Sequence, residues 1–266
     1  MRIATWNINS VRTREERVRA FLQRSDVDVL CLQETKCTDK QFPDFSDTGY
    51  EQAHFGLHSF NGVAILSRLG LEDVQTDFGQ PGFDKDLDAT QSLEARAIGA
   101  ICAGVEVWSL YVPNSREIAD PHYSYKLRWL DTLAKYASGA GVGASKRKSS
   151  HKLCLVGDYN IAPRDEDVWD RSYFNGRTHV TPNERARLRA LEDAGMQAAT
   201  DLVADEYTYW DYQAMRFQKG EGMRIDLQYS RGITPTGARV DRDERKGKGA
   251  SDHAPVIVDY DSDGEE

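Results

Sequence analysis

Six short segments, spread from the beginning of this chain to its end, each join an apolar, strand-like run to polar side chains. They read WNINSVR, LQETK, YVPN, GDYN, MRIDL and SDHAP, and they begin at residues 6, 32, 111, 157, 223 and 251. Polar groups at the ends of strands that are distant in sequence come together only when those strands share a sheet or lie in packed sheets. The pattern therefore predicts a strand-rich fold with one composite site.

The regular elements predicted between these segments are many strands and few helices. Alternating or continuous apolar runs predict strands at 2–7, 27–32, 62–66, 98–102, 105–110, 152–156, 225–229 and 256–260. Helical spacing predicts helices at 13–24, where Thr13 is a candidate cap, at 121–137, and at 182–194. Strands and helices do not alternate strictly, and Gly104 suits a hairpin turn. We therefore expect an α/β fold of mixed sheets packed together with helices outside.

Composition excludes several classes of protein. No apolar run of about 18 residues occurs, so we expect no transmembrane helix and no membrane partner. The chain begins MRIATWNIN, without a basic start and an apolar core, which argues against secretion and favours the cytoplasm. The cysteines show no CxxC pairing, and we interpret them as reduced core residues, with a disulfide or zinc site as the alternative; they are Cys31, Cys37, Cys102 and Cys154.

Charge and low-complexity segments set the domain limits. The net charge of −9 argues against indiscriminate binding to nucleic acid but leaves room for a local basic surface. Residues 138–150 are rich in Gly and Ser and carry three basic residues, which predicts a surface loop within one domain. We expect a single catalytic domain over residues 1–260, followed by an acidic tail over 261–266.

Two of the segments supply isolated carboxylates directly after buried strands. An ionised Glu34 in this position is costly unless it is paired or bound to metal, so it is a candidate Mg2+ ligand. The alternative is a carboxylate at the rim that pairs with Lys36. Asp158 is a candidate for orienting or deprotonating water, and Asn160 shares its face if the chain stays extended. An ordinary Asx turn that ends the strand is the competing interpretation.

The first and last segments add amides, an acid and a histidine. Asn7 and Asn9 alternate along the first strand and so point to the same side, where they suit a phosphate oxygen, a metal-bound water or a carboxylate. Asp252 and His253 are neighbours, so one can face the metal while the other faces the phosphate. Asp226 is a candidate partner of His253, fixing its tautomer and favouring its cationic form.

Two further segments supply hydroxyl, amide and aromatic groups. Tyr111 and Asn114 end a strand and are candidate donors to a phosphate oxygen, although Tyr packing on proline is also common. The aromatic run YTYWDY begins at residue 207 and is more typical of a core than of a ligand platform. It lies shortly before MRID, so Tyr209 is a candidate wall of a sugar or base pocket, with Met223 and Ile225 as other walls.

Taken together, the segments WNIN, QETK, YVPN, GDYN, YWDY, RID and SDH resemble the exonuclease III family of Mg2+-dependent AP endonucleases, within the endonuclease/exonuclease/phosphatase superfamily. The resemblance covers residues 6–260. It implies a four-layer α/β sandwich of two packed mixed β-sheets flanked by helices, as in DNase I. It also implies Mg2+ as the cofactor, with Mn2+ as a substitute, and a monomer that acts on double-stranded DNA with abasic sites or 3′ ends.

The resemblance also implies a role for each matched position. The metal site is expected at Glu34, Asn7, Asn9 and Asp252. Catalysis is expected from Tyr111, Asp158, Asn160, Asp226 and His253. Contact with DNA is expected from Asn114, Arg116, Tyr209, Met223 and Ile225.

The implied activity is DNA repair by phosphodiester hydrolysis 5′ to abasic sites, with 3′-to-5′ exonuclease and 3′-phosphatase activity on duplex DNA. Two alternatives stay open. One is a different phosphodiesterase or phosphatase of the same superfamily, and the other is an inactive DNA-binding or scaffold protein. Departures from the family pattern are Ser10 in place of glycine, Ser115-Arg116 after YVPN, and Gln228, which we expect to face solvent. None of them removes a catalytic residue.

Overall fold

The computed structural model describes residues 1–83, 93–140 and 151–261. Most of the predicted basic loop and all but the first residue of the predicted acidic tail lie outside these described residues. The described strands are β1 Arg2–Asn7, β2 Val29–Gln33, β3 Glu51–Phe55, β4 Val63–Ser67, β5 Glu72–Gln75, β6 Ala97–Cys102, β7 Val105–Tyr111, β8 Leu153–Asp158, β9 Gln197–Ala198, β10 Asp226–Arg231, β11 Thr234–Val240 and β12 Val256–Asp261. The described helices are α1 Glu15–Ser25, α2 Pro121–Ala137, α3 Pro182–Asp193 and α4 Arg216–Lys219.

The strands form two mixed sheets of six strands each. The first has the order β11-β12-β1-β2-β4-β3 and the second has the order β5-β6-β7-β8-β10-β9. In the first sheet β1 and β2 are parallel, and in the second β7 and β8 are parallel. The other strand pairs are antiparallel, including the predicted β6–β7 hairpin with Gly104 in its turn.

The two sheets pack face to face, with helices on the outer faces. Apolar side chains of β1, β2 and β4 meet those of β6, β7 and β8 in a core between the sheets. Helix α1 covers the outer face of the first sheet through Val18, Phe21 and Leu22. Helices α2 and α3 cover the second sheet, with Trp129 and Leu191 fully buried. The predicted four-layer α/β sandwich is confirmed, and all four cysteines are buried and unpaired, as expected of core thiols.

One polar side chain predicted to face solvent lies between the sheets instead. Gln228 on β10 is fully buried. Its amide nitrogen donates to the carbonyl oxygens of Ile3 and Val256 at 3.2 and 3.0 Å, and its oxygen accepts a bond from the Tyr260 hydroxyl. Every polar atom of this amide therefore has a partner, which offsets the cost of burial. The sequence pattern could not show this, because the partners lie on the opposite sheet.

The helix boundaries follow their capping chemistry. Asp120 caps α2, and Thr181 caps α3 in a reciprocal capping box with Glu184; both helices begin with a proline. The prediction that Thr13 caps the first helix is wrong: α1 begins at Glu15, and the Thr13 hydroxyl donates to the Ser10 carbonyl. No helix among the described residues is long and apolar enough to cross a bilayer.

The sheet topology explains why the polar segments meet. The carboxyl ends of β1, β2, β7 and β8 and the amino ends of β10 and β12 lie at the same edge of the sandwich. Asp158 is paired in register with Tyr111 on one side and with Asp226 on the other. His253 lies just before β12, which pairs with β1. The candidate side chains at these strand ends therefore lie close together at one edge of the sandwich.

Candidate active site

The side-chain amide of Asn7 forms hydrogen bonds with two acidic side chains, one from each sheet. The Nδ2 atom of Asn7 donates to Glu34 Oε1 and to Asp158 Oδ2, both at 2.9 Å. Its Oδ1 atom accepts a bond from the backbone nitrogen of Asn9 at 3.1 Å. Asn7 therefore holds the two carboxylates in place, and its oxygen is already engaged. Contact with a carboxylate is one of the roles considered for Asn7 from the sequence, and its place near the metal stays a prediction.

Glu34 is paired with Lys36 as well as with Asn7. Its Oε2 atom lies 2.8 Å from the Lys36 ammonium, so the rim ion pair considered from the sequence is present. Burial disfavours the charged form of Glu34, but the Lys36 charge outweighs it and the pKa of this carboxyl lies below its usual value. Glu34 is therefore ionised at neutral pH and its charge is available to a cation.

Asn9 and Asp252 lie at the perimeter of the site. The Nδ2 atom of Asn9 donates to Asp252 Oδ1 at 2.9 Å, and its Oδ1 atom accepts a bond from Lys36. The strand ends at Asn7, and Asn9 has a φ of 45°, so the predicted alternation of two amides along one strand is wrong. The turn nevertheless brings Asn9 to the same site.

The predicted pairing of Asp226 with His253 is present. The Nδ1 atom of His253 lies 2.9 Å from Asp226 Oδ2, which also accepts a bond from the Thr208 hydroxyl at 2.6 Å. The Nε2 atom of His253 lies 3.8 Å from Asp158 Oδ2. Burial lowers the pKa of His253, but the carboxylates of Asp226 and Asp158 outweigh it and raise this pKa to about 10. The imidazole is thus a buried cation between two acids.

Asp158 is almost completely buried, with 1% of its surface exposed. Burial and then the nearby Asp226 charge raise its pKa to about 7, against the opposing influence of His253 and Asn7. A carboxylate with a pKa near neutrality is suited to accept a proton from water.

The chain turns sharply directly after Asp158. Asn160 has a φ of 52°, and its backbone nitrogen donates to Asp158 Oδ1 at 2.9 Å. Its side-chain nitrogen donates to the Val112 carbonyl at 3.0 Å. The extended backbone considered for residues 158–160 is therefore wrong, and the Asx turn is what the structure shows. In this turn Asn160 still fixes the Asp158 carboxylate, through its backbone nitrogen.

A buried ion pair that the sequence analysis missed supports this turn. Lys126 Nζ donates to the Asn160 carbonyl at 2.6 Å and to Glu184 Oε1 at 2.5 Å. The ring Nδ1 of His179 donates to the same carbonyl at 2.6 Å. A signal was available, because Lys126 lies on the face of α2 that also carries the buried Trp129. A lysine on the apolar stripe of a helix requires a buried partner.

The Tyr111 ring contacts the guanidinium of buried Arg96. Arg96 is another residue that was not predicted from the sequence. The Arg96 guanidinium is 4.9 Å from the centroid of the Tyr111 ring. Burial and the charge of Glu34 hold the pKa of Tyr111 well above its usual value, so the hydroxyl keeps its proton and acts as a donor. Tyr111, Asn114 and Arg116 line a cavity of about 430 Å³.

A larger cavity of about 710 Å³ opens beside the catalytic groups. Tyr209 and Met223 line it, as predicted, and the Tyr209 ring lies 4.8 Å from the His253 ring. Ile225 is 2% exposed and is not among the residues that line the cavity; it packs with Met223 in a small apolar cluster, and its contact with DNA stays a prediction. The aromatic run is divided between two roles, because Trp210 is buried in the core.

The donor atoms at the centre of the site fit a small hard cation. Glu34 and Asp158 each offer a carboxylate oxygen, and these two atoms and a ring nitrogen of His253 lie within 4.8 Å of one another. The His253 ring is cationic, so the two carboxylates are the groups available to a metal ion. Asp226 Oδ1 is buried and has no hydrogen-bond partner among the described residues. A group dominated by carboxylate oxygens is typical of Mg2+ and Mn2+ sites. Glu34, the ligand expected from the sequence, belongs to this group, and Asp252 does not. The places of Asn7, Asn9 and Asp252 near the metal stay predictions.

Comparisons with known proteins agree with this geometry. The chain matches the endonuclease/exonuclease/phosphatase family over residues 4–253. It is 25% identical to exodeoxyribonuclease III of Haemophilus influenzae over 98% of this chain and 100% of that protein.

Two solved structures share the fold closely. One is the 3′ phosphatase NExo from Neisseria bound to a product DNA hairpin, with a TM-score of 0.85, 32% identity, and coverage of 98% of this chain and 99% of that one. The other is an AP endonuclease from Archaeoglobus fulgidus, with a TM-score of 0.85, 29% identity and the same coverage. The matches therefore extend over nearly the whole chain in each case.

Proposed function

Because this chain belongs to the endonuclease/exonuclease/phosphatase family, in its exonuclease III branch, we propose that it is a phosphodiester hydrolase of DNA repair. We further propose that it depends on Mg2+, cleaves 5′ to abasic sites, and removes nucleotides and phosphate groups from 3′ ends of duplex DNA. The observation that carries the proposal is the buried Asp226–His253 pair facing Asp158 beside the ionised Glu34. The similar proteins comprise an exodeoxyribonuclease, a 3′ phosphatase and an AP endonuclease.

The nucleophile in this proposal is a water molecule held by Asp158. The two carboxylate oxygens are fixed by bonds from Asn7 and from the backbone of Asn160, and the pKa near 7 allows the carboxylate to take up the water's proton. The raised pKa of His253 keeps its ring cationic, so the ring donates to a phosphate oxygen and offsets the developing negative charge. The Tyr111 hydroxyl supplies a second donor.

Glu34 is the best-placed ligand for the metal ion. When bound, a divalent cation supplies Lewis-acid stabilisation of charge at the phosphate. Asn7 and Lys36 hold the Glu34 carboxylate from two sides and so define the position that it offers to the ion. Mn2+ is expected to substitute, because it accepts the same oxygen ligands.

The wall of the larger cavity nearest the catalytic groups accounts for the proposed substrates. Tyr209 and Met223 form this wall beside His253, and a deoxyribose without its base is small enough to lie against them. Cleavage at an abasic site and removal of a terminal group both place a sugar here and a phosphate at Asp158. All of these side chains come from one chain, so the proposed active form is a monomer.

The test is a set of duplexes that differ in one feature. They carry an internal abasic analogue, a recessed 3′ hydroxyl end, a 3′-phosphate or no lesion, and each is incubated with Mg2+, with Mn2+ or with a chelator. We expect metal-dependent cleavage on the three modified duplexes and very little on the intact one. Phosphoinositide and free nucleotide substrates serve as the comparison. Faster turnover on those compounds favours a different phosphatase of the superfamily, and absence of turnover on every substrate favours a binding protein.

A further inference from the structure

The larger cavity continues outward from the catalytic groups to a second wall of aromatic and arginine side chains. Trp169, Tyr173, Arg177 and Arg216 line this part of the cavity, which we call the outer wall. It is formed by a segment after β8 and by α4. The sequence motifs did not include these residues, and the proposed chemistry does not use them.

The side chains of the outer wall contact one another through ring, cation–π and ion-pair interactions. The rings of Trp169 and Tyr173 lie 5.0 Å apart between centroids, and the Arg216 guanidinium lies 5.0 Å from one and 5.1 Å from the other. Arg216 is paired with Glu221 at 2.9 Å and donates to the Tyr173 hydroxyl at 3.3 Å. The positive charge of Arg216 is thus already compensated, and its role is to hold the two rings.

Arg177 differs from Arg216 because it is exposed. Its guanidinium lies 4.4 Å from the centroid of the Tyr173 ring, which is itself 38% exposed. Among the described residues no carboxylate lies within ion-pair distance of Arg177. An exposed guanidinium that contacts an aromatic ring can also stack on a flat ligand, and its N–H groups can bond to acceptor atoms. Unpaired bases are recognised by planes of this kind.

The charges around the cavity decide between a base and a phosphate as the ligand of the outer wall. Three arginines line the cavity, and three carboxylates accompany them, from Glu117, Asp211 and Glu221. His179 adds no charge at neutral pH, because burial lowers its pKa to about 4. A cavity with balanced charge gives little attraction to an additional phosphate. Aromatic rings and an open guanidinium face instead suit a neutral heterocycle.

We propose that the outer wall is a nucleobase subsite, which receives the base of an unpaired 3′-terminal nucleotide whose scissile phosphate lies at Asp158. The inference rests on the proposed function and defines its substrate more closely. A cavity of about 710 Å³ is larger than a deoxyribose needs, and the outer wall adds the stacking surfaces that only a base uses. A paired terminal base would first have to be unpaired and unstacked, and the free-energy cost of this is smaller for a mismatched base. The enzyme therefore selects ends that carry a mismatched nucleotide.

The experiment compares two 3′ ends that differ only in the presence of a base. One duplex ends in a mismatched thymidine and the other in a tetrahydrofuran abasic residue, and the same phosphodiester bond is cleaved in both. The measured quantity is the ratio of kcat/KM for the thymidine end to kcat/KM for the abasic end. Tyr173→Ala and Arg177→Ala each remove part of the outer wall, and Arg189→Ala removes an exposed arginine on α3 as the control.

We expect both outer-wall variants to lower the ratio by roughly 5- to 100-fold, the range found when one base-stacking side chain is removed. Arg189→Ala leaves it unchanged. An unchanged ratio in both outer-wall variants overturns the proposal. An equal loss on both ends also overturns it, since Arg177 would then contact a phosphate. Arg177 is exposed and its removal leaves the fold intact, so this variant is decisive even if Tyr173→Ala proves unstable.

Release of phosphate from a fully paired 3′-phosphate end separates this inference from the proposed function. That reaction uses the catalytic groups but places no unpaired base at the outer wall. We expect the parent and both outer-wall variants to catalyse it at similar rates with Mg2+. If the parent lacks it and lacks all cleavage of DNA, the proposed function fails. If the parent has it and the base-dependent ratio does not respond, the nucleobase subsite alone fails.

Discussion

Lys126 and Glu184 form an ion pair with 2.5 Å between Nζ and Oε1, and neither side chain has any exposed surface. Burial of two charges is costly, and mutual attraction offsets this only when further hydrogen bonds complete the geometry. Here Lys126 also donates to the Asn160 carbonyl, and Glu184 accepts bonds from the backbone of Thr181 and His179. The pair thus links two helices to the turn that follows Asp158.

Lys126→Met should lower the free energy of unfolding by about 3–5 kcal/mol, because it leaves the Glu184 carboxylate buried without its cation. Urea denaturation at pH 7 measures the change. The matched control is Arg187→Ala, which breaks the exposed pair with Asp131 between the same two helices and should cost less than about 1 kcal/mol. Equal effects of the two substitutions would mean that burial of the Lys126 pair has no energetic importance.

Glu34→Gln should raise the Mg2+ concentration needed for half-maximal turnover by at least about 10- to 100-fold, the usual loss when metal-site contacts are removed. The glutamine amide keeps the shape of the side chain but removes the negative charge that interacts with Lys36 and with the metal ion. The urea midpoint should change little, because the site lies at the edge of the sheets. Glu16→Gln on the exposed face of α1 is the control. A metal titration identical to that of the parent would disprove the ligand assignment.

Asp158→Asn should reduce single-turnover cleavage at least about 100-fold, since the amide cannot accept the proton of water. DNA affinity should be retained, because Asp158 is buried and its removal lessens the negative charge near the phosphate. The measurements are a rapid-quench time course and a binding titration on the same duplex. A near-parental rate constant would assign proton transfer to another group.

His54→Gln should make stability less dependent on pH. Burial, only partly opposed by Asp39, lowers the pKa of His54 to about 4, from an ordinary value of 6.5. Between these values the unfolded chain binds a proton that the folded chain does not, so this contribution is complete above pH 6.5 and is lost as the pH falls toward 4. From pH 7 to 5 the loss from one such group is about 2 kcal/mol.

Urea midpoints at pH 7 and pH 5 provide the comparison for His54→Gln. The parent should lose about 2 kcal/mol more than the variant over this interval. His179, whose pKa is also lowered to about 4, is present in both proteins and cancels in the difference. The same pH dependence in both proteins would mean that His54 is protonated in the folded state, as its contact with Asp39 alone would favour.

The sequence predicted the parts of the site that regular elements position. Asp226 begins a strand and His253 lies just before one, and both strands have a clear apolar pattern; the pairing was expected from the residue types. Lys126 and Glu184 are separated by 58 positions in sequence, and only the packing of α2 on α3 brings them together. Patterns within one element indicate that Lys126 is buried but do not identify its partner.

Irregular segments account for the remaining differences. The turns at Asn9 and Asn160 have positive φ values that strand periodicity does not describe, although Asn is among the residues that adopt them most readily. Trp169 and Tyr173 lie in a stretch with no helix or strand, where no spacing rule relates a side chain to a cavity. Ile225 shows a related limit of short motifs: Met223, two residues earlier, lines the cavity, whereas Ile225 is buried in the apolar cluster that both residues share.

The position of β1 inside its sheet has a consequence for synthesis. β1 pairs with β2 on one side and with β12 on the other. Ile3 therefore cannot form its ladder pair with Val258 until β12 has been synthesised. At the usual rates of translation, roughly 5–20 residues per second, the nascent chain carries an open edge on β1 for about 10 to 50 s before its last partner emerges from the ribosome. His253 arrives in that same final stretch. An unfinished chain on the ribosome therefore lacks a complete catalytic site, and its unpaired β1 edge is open to pairing with other strands during this interval.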